Sequence, residues 1–193
     1  MKATLLRAVS TIFICALGAL SHAQESGGQG GLSLGETVNN EPQVGQAYVQ
    51  QNSGDWEIRC VKSRGDVDPC QLYQLLEDQN GNPVAEFTMF NVPPGGAALA
   101  GGNIITPLET LLTASLTMSV DGGETKRYPF TFCTRGGCVS RIGFTASDIN
   151  AFQRGNEAIL TIYSVSSPDT PVNLSLSLAG FTVGFDAMLD SAP

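Results

Sequence analysis

The chain has 193 residues, ten Lys and Arg against 18 Asp and Glu, a net charge of −8, one histidine and five cysteines. This length is typical of a single domain. The excess of acids argues against binding to nucleic acid, because neutralising phosphates requires a basic surface.

The first 23 residues have the pattern of a Sec-type secretory signal peptide. Lys2 and Arg7 precede an apolar run from Ala8 to Leu20, and Ser21-His22-Ala23 then places small residues at −3 and −1. No second apolar run follows, so we expect no transmembrane span in the mature chain. Cleavage after Ala23 would leave a charge of about −10, four cysteines and no histidine, which excludes histidine triads, bases and metal ligands.

Residues 24–47 are rich in Gly, Gln, Asn and Glu and contain no apolar pattern long enough to pack. Such a segment buries too little surface to offset the conformational entropy of ordering it. It predicts a flexible linker between the signal peptide and a folded domain over residues 48–190.

Beyond Tyr48 the apolar residues recur at every second position, which is the period of a β-strand. The alternation is clearest over residues 112–120 and 172–178, and turn sequences such as Asp121-Gly122-Gly123 separate the strands. Weaker candidates are Trp56–Val61, Gln71–Glu77, Val84–Asn91, Arg127–Thr134, Cys138–Phe144 and Ala158–Val165.

Two short helices interrupt these strands. The first runs from Ser147-Asp148 to Arg154 and ends at Gly155. The second follows Gly180 and carries Phe181, Phe185 and Met188 or Leu189 at helical spacing. Many short strands with few helices predict a mainly β domain, either an antiparallel β-sandwich or a partly open barrel.

The four cysteines of the mature chain predict two disulfides, because exported proteins fold in an oxidising compartment. Cys60 and Cys70 lie on either side of a turn, and so do Cys133 and Cys138. We therefore favour the pairs Cys60–Cys70 and Cys133–Cys138. Pairing across two sheets, or one zinc site made of all four cysteines, are the alternatives.

Short motifs in a fixed order along the domain carry a family resemblance. They begin with Gly54-Asp55-Trp56-Glu57-Ile58-Arg59-Cys60 and Pro69-Cys70-Gln71-Leu72. They continue with Ile105-Thr106-Pro107-Leu108, Val120-Asp121-Gly122-Gly123, Phe130-Thr131-Phe132-Cys133, Gly137-Cys138, Ser177-Leu178-Ala179-Gly180-Phe181 and Phe185-Asp186-Ala187. In this pattern the chain resembles the invasion-associated locus B family from about residue 48 to residue 189. The resemblance implies an exported protein of a Gram-negative bacterium, periplasmic, associated with the outer membrane or secreted.

Two sets of residues are candidates for partner binding. Arg64-Gly65-Asp66 is an adhesion tripeptide in a loop between two cysteines, where closure would lower the cost of ordering it for binding. Half of the basic residues of the mature chain fall near the second cysteine pair and could attract an anionic partner; these residues are Lys126, Arg127, Arg135 and Arg141.

No motif for a catalytic serine, a phosphate-binding loop or a dinucleotide cofactor is present. We therefore expect no catalytic residue, no cofactor and no metal site, and interpret the chain as a non-catalytic envelope protein that binds another envelope protein or a surface component. For pathogenic relatives, the resemblance implies that this role includes colonisation of host cells. The alternatives are a carboxylate-based hydrolase of envelope glycans and a surface adhesin that uses Arg64-Gly65-Asp66.

Overall fold

A computed structural model describes residues 35–36 and 41–191 of the chain. The described fold belongs to the second of two units, Asn40–Pro193. The signal peptide over residues 1–23 and most of the linker over residues 24–47 lie outside the described residues, and both remain predictions. In the described part, no helix is both long and apolar enough to cross a bilayer.

The described residues form eleven strands, two α-helices and one 3₁₀ turn. The first five strands are β1 (Ala47–Ser53), β2 (Trp56–Val61), β3 (Cys70–Glu77), β4 (Pro83–Asn91) and β5 (Ala100–Thr106). The 3₁₀ turn Leu112–Ala114 precedes β6 (Leu116–Val120), β7 (Lys126–Tyr128), β8 (Phe130–Thr134) and β9 (Gly137–Phe144). Helix α1 (Ala146–Arg154), β10 (Glu157–Ser164), β11 (Ser167–Ser177) and α2 (Phe181–Asp190) complete the domain.

All strand pairs are antiparallel, and they form one sheet in the order β7-β6-β10-β11-β3-β4-β5-β9-β8. Strands β7 and β8 at the two ends of this order are separated in the chain only by Pro129. The sheet therefore curves into a nearly closed barrel. This confirms the predicted mainly β fold and selects the partly open barrel over the sandwich.

The interior of the barrel is filled by aromatic side chains. The Trp56 side chain is fully buried, with its ring 5.6 Å from the Phe87 ring and 5.5 Å from the Phe181 ring. Helix α1 contributes Phe152 and α2 contributes Phe181, whose rings are 5.2 Å apart in an edge-on arrangement. Edge-on aromatic pairs stabilise a core beyond the area they bury, so the two helices belong to the core of the barrel.

Strand β3 pairs with β4 along one edge and with two different strands along the other. On that second edge, its first half pairs with β2, and its last residue, Glu77, is in register with Ser175 of β11. Between these points the buried side chain of Gln74 replaces the missing ladder, because its amide donates to the carbonyl of Ser177 at 3.0 Å and accepts from the Ser177 N–H at 2.8 Å. The branch made by β1 and β2 is thereby joined to the barrel, and both backbone groups of Ser177 have a partner.

Of the predicted strands, one is shorter in the structure and one is divided. The expected strand 112–120 begins only at Leu116, because residues 112–114 form the 3₁₀ turn and Ser115 has a φ of 60°. The expected strand Arg127–Thr134 is broken at Pro129, which has no N–H for a ladder. Strands β1 and β5 were not predicted. The two helices lie where the sequence placed them, to within a residue at each end.

Candidate functional site

The first disulfide joins Cys60 of β2 to Cys70 of β3, in direct register across the strand pair. Both cysteines are buried, at 0% and 8% exposure. The N–H of Cys70 donates to the hydroxyl of Ser191 at 3.2 Å, and that hydroxyl donates to the carbonyl of Met188 at 2.6 Å. The bridge is thus attached to the end of α2 as well as to two strands.

The loop between these cysteines, residues 61–69, is organised by Asp68. Its carboxylate accepts from the Ser63 N–H at 2.8 Å, the Tyr48 hydroxyl at 2.8 Å and the Lys62 ammonium at 3.2 Å. The Ser63 N–H and then the Tyr48 hydroxyl lower the pKa of Asp68 to about 2, because both stabilise the charged form. Arg64 and Asp66 are exposed in the same loop, so the predicted adhesion tripeptide is accessible.

The second disulfide joins Cys133 of β8 to Cys138 of β9. The structure contains both disulfides that the sequence predicted. The alternative of a zinc site is wrong, because the four cysteines form two disulfides. Only Arg135 and Gly136 separate β8 from β9. Cys138 is buried at 1% exposure, whereas Cys133 is exposed. We call β8, β9 and the turn between them the second disulfide hairpin.

A β-bulge at Thr131 determines which way the aromatic residues of β8 face. Phe130 is in register with the fully buried Ser140, but Phe132 is in register with Val139 on the other face of β9. Phe130 therefore packs against the core, while Phe132 lies on the outer surface with 49% of its area exposed. Strict alternation would place both rings on one face, so the sequence reasoning missed Phe132. The polar Thr131 between the two rings fits that alternation, so the exposure of Phe132 follows from the bulge and not from a local sequence signal.

Strand β8 has a free edge. It pairs with β9 on one side, and no described residue forms a backbone hydrogen bond to its other side. The Cα atoms of Cys133 and Cys138 are 4.0 Å apart, a separation typical of non-hydrogen-bonded pairs in an antiparallel ladder. In such a pair the N–H and C=O of Cys133 point away from β9, toward the open edge.

The four basic residues predicted near this hairpin divide into two held and two free side chains. Lys126 pairs with Asp148 at the start of α1, with Nζ 2.5 Å from Oδ1, and this hydrogen bond raises the pKa of Lys126. Arg127 donates from Nη1 to the carbonyl of Ala114 at 3.2 Å. Arg135 in the turn and Arg141 on the outer face of β9 are exposed and form no ion pair with any described residue. Of these four residues, the two whose side chains have no partner among the described residues, Arg135 and Arg141, both lie on the second disulfide hairpin.

One cleft of about 340 Å³ lies between α1 and the β6–β7 turn and is lined by three carboxylates. Two of these carboxylates accept hydrogen bonds from other parts of the fold. Asp121 accepts from the N–H groups of Asn156 and Glu157, and Asp148 accepts from Lys126 and the N–H of Thr145. Burial acts to raise the pKa of Asp148, but these hydrogen bonds outweigh it and lower the pKa, which is the opposite of what a general acid needs.

A second cleft of about 360 Å³ lies at the fork between β2 and β11, where Asp55, Glu57 and Glu77 contribute carboxylates. Asp55 accepts from the hydroxyl of Ser177 at 2.5 Å, and Glu57 accepts from Arg59 at 2.7 Å. Within residues 35–36 and 41–191, no group of three His, Cys, Asp or Glu residues could hold a metal ion.

Comparison with known proteins gives a family and a fold. The family model described as invasion associated locus B (IalB) protein matches residues 56–189, which is more than half of the chain. The chain belongs to the IalB family. A solved structure, the crystal structure of invasion associated protein B from Bartonella henselae, is 21% identical and has a TM-score of 0.61, with 72% of this chain and 94% of that chain covered. At this identity the likeness to that IalB structure shows a common fold. A search of curated proteins found no match.

Proposed function

We propose that this IalB-family protein is an exported, non-catalytic protein of the bacterial envelope that acts by binding another envelope protein through the second disulfide hairpin. The observation that carries this proposal is the presence of the half-exposed ring of Phe132 and the unpaired Arg135 on one cross-linked hairpin. Exposed aromatic and arginine side chains are enriched among residues that dominate binding energy. The disulfide holds them in place before binding, which lowers the entropy lost on association.

The arrangement of carboxylates supports a non-catalytic role. Four of the six carboxylates in the two clefts accept hydrogen bonds from the protein itself, namely Asp121, Asp148, Asp55 and Glu57; the other two are Glu124 and Glu77. A glycan hydrolase needs one carboxyl group whose pKa is raised so that it can donate a proton. The lowered pKa of Asp148 does not meet this need.

An envelope location is supported by the predicted signal peptide and by the two disulfides, which form and persist in oxidising compartments. The periplasm, the outer membrane and the cell surface all meet this condition. The solved relative is named as an invasion associated protein. We extend a role in host-cell colonisation to this chain only if its source is a pathogen.

Site-specific photo-cross-linking in intact cells tests the proposal. A photoreactive amino acid replaces Phe132 in one variant of the full chain and Val183 in a matched control, because Val183 on α2 is also exposed, at 64%. We expect a discrete protein adduct from position 132 and none from position 183. Equal labelling from both positions, or no adduct at position 132, would contradict binding through the hairpin.

A further inference from the structure

We infer that the free edge of β8 accepts an extended segment of the partner protein as an additional β-strand, and that this segment alternates acidic and apolar residues. The inference rests on the proposed function and specifies its mode of recognition. In such strand addition, main-chain hydrogen bonds supply affinity and the side chains on alternate faces supply specificity.

The backbone of β8 is available for this pairing. The N–H and C=O of Cys133 point toward the open edge, and the residues from Thr131 to Thr134 are all exposed. An exposed edge of this kind is a template for another chain unless the protein covers or disrupts it. Among the described residues nothing covers β8, and its bulge at Thr131 leaves the segment from Phe132 to Thr134 regular.

The side chains around the edge indicate the composition of the incoming strand. Phe132, Val139 and Ile105 lie in register on the outer faces of β8, β9 and β5 and form an apolar row. A strand added beside β8 would continue this row with an apolar residue next to Phe132. Residues further along the added strand would lie near Arg135, whose guanidinium has no partner among the described residues and favours a carboxylate.

Charge also decides between a partner protein and a second copy of the chain. If two copies paired through β8, the unpaired Arg135 and Arg141 of each copy would be brought into one sheet. Residues 130–144 contain Arg135 and Arg141 and no acid, so this pairing would concentrate positive charge at the edge instead of neutralising it. An acidic segment of another protein instead neutralises the hairpin, so we assign the edge to a partner protein.

Strand β1 provides a matched control, because its outer edge is also unpaired among the described strands. It pairs only with β2, and a bulge at Gln50 interrupts it in the middle. Like the bulge on β8, this bulge leaves a regular segment of three residues, here residues 51–53. Val49 on β1 is 50% exposed, close to the value for Phe132, and no free arginine lies on this strand. Substitutions at Val49 therefore match those at Phe132 in exposure and in position on an edge.

The test uses the full chain purified in oxidised form and two capped synthetic peptides, one alternating Glu and Val and the other alternating Lys and Val. We expect the Glu-Val peptide to bind in fluorescence anisotropy and to slow hydrogen exchange at the Cys133 amide. Phe132→Ser and Arg135→Glu should each weaken binding about tenfold. Val49→Ser should leave it unchanged.

Four results would overturn the inference: equal binding of the Lys-Val peptide, protection of β1 amides instead of Cys133, no binding of the Glu-Val peptide, or protection of Cys133 by self-association that grows with protein concentration. Circular dichroism and a disulfide map confirm that each variant is folded. Because Phe132→Ser and Arg135→Glu change different positions, weaker binding by both cannot result from a local distortion at one of them. A cross-link from position 132 without protection of Cys133 would leave the proposed function standing and reject the added strand.

Discussion

The two disulfides join antiparallel neighbours in direct register, yet their surroundings differ at every point. Cys60–Cys70 is buried, is hydrogen-bonded to the end of α2 through Ser191, and closes a loop that folds onto Asp68. Cys133–Cys138 closes a two-residue turn and exposes Cys133 on a free edge. The same covalent link therefore anchors the core in one place and stiffens an exposed surface in the other. What packs against the strands decides which of these two roles a bridge has.

A carboxylate organises the loop beside the first bridge, although Arg64 in that loop is also exposed and forms no ion pair with a described residue. Lys62 of the loop 61–69 and Tyr48 of β1 both contact the carboxylate of Asp68. On the second disulfide hairpin, Arg135 and Arg141 contact no carboxylate of the described chain. Groups that are satisfied within a fold contribute to its stability, whereas unpaired exposed charges are available to a partner.

The largest expected effect comes from removing each bridge. Replacing Cys60 and Cys70 together by Ala should lower the free energy of unfolding by about 3 kcal/mol or more, since the loop is longer and the sulfurs are buried. The same change at Cys133 and Cys138 should cost about 2 kcal/mol. Urea unfolding of the two double variants measures both values. A larger loss from the second pair would contradict the assignment of the first as the core anchor.

Reduction of the native protein should distinguish the bridges by accessibility. Thiolate attack requires access to a sulfur atom, and Cys133 is exposed while Cys60 and Cys70 are buried. We expect a mild dithiol reagent to open Cys133–Cys138 at least about tenfold faster under native conditions. Timed alkylation followed by mass spectrometry of the peptides measures the two rates. Equal rates would mean that the two bridges are equally accessible in solution.

Ser191→Ala tests whether the first bridge depends on α2. The change leaves the buried N–H of Cys70 without an acceptor and should lower the free energy of unfolding by about 1 to 2 kcal/mol. Thr134→Ala is the matched control in the second disulfide hairpin, where the hydroxyl accepts from Gly136 in an exposed turn and its loss should cost under about 0.5 kcal/mol. Urea unfolding measures both values. If the two variants lose similar free energy of unfolding, the first bridge does not depend on α2 more than the second hairpin depends on its turn.

The smallest expected effect is the response of the loop 61–69 to acid. Because the pKa of Asp68 in the fold is about 2, below its ordinary value of 3.8, its carboxylate stabilises the loop fully above pH 4. That contribution is lost as the pH falls through about 2. The amide shift of Ser63 in an NMR titration should follow this midpoint, and Asp68→Asn should abolish the step. A midpoint near pH 4 would show that the Asp68 carboxylate does not accept the hydrogen bonds from Ser63 and Tyr48 in solution.

Local patterns predicted the strands whose surroundings are simple. Period-two alternation located β2, β3, β4, β9 and β10, and capping residues located α1, whose Thr145 and Asp148 form a reciprocal cap. Strand β5 was missed because Gly101 and Gly102 suggest a break. In the sheet these glycines make room for the ring of Phe90 outside and the ring of Phe144 inside, since an added Cβ would lie 2.5 Å and 2.6 Å from those rings. The reason for the glycines is visible only once neighbouring strands are in place.

The candidate site was predicted in part. The cysteine spacing predicted both bridges, and the clustering of basic residues drew attention to the region of Arg135 and Arg141. The sequence did not distinguish these free cations from Lys126, because the partner of Lys126 is Asp148, 22 residues away in the chain. The exposure of Phe132 depends on the bulge at Thr131, and a bulge exists only relative to a partner strand.

The sequence by itself determined what depends on neighbours along the chain: the strand period, the helix caps, the closure of two cysteine pairs across turns, and the ordered motifs of the IalB family. Only the tertiary structure decided that the sheet closes into a barrel, that one bridge is buried while the other lies on an open edge, and which arginines remain unpaired. These properties arise from contacts between residues far apart in the chain. Burial and free edges are defined by what packs against a strand, and that information is not local.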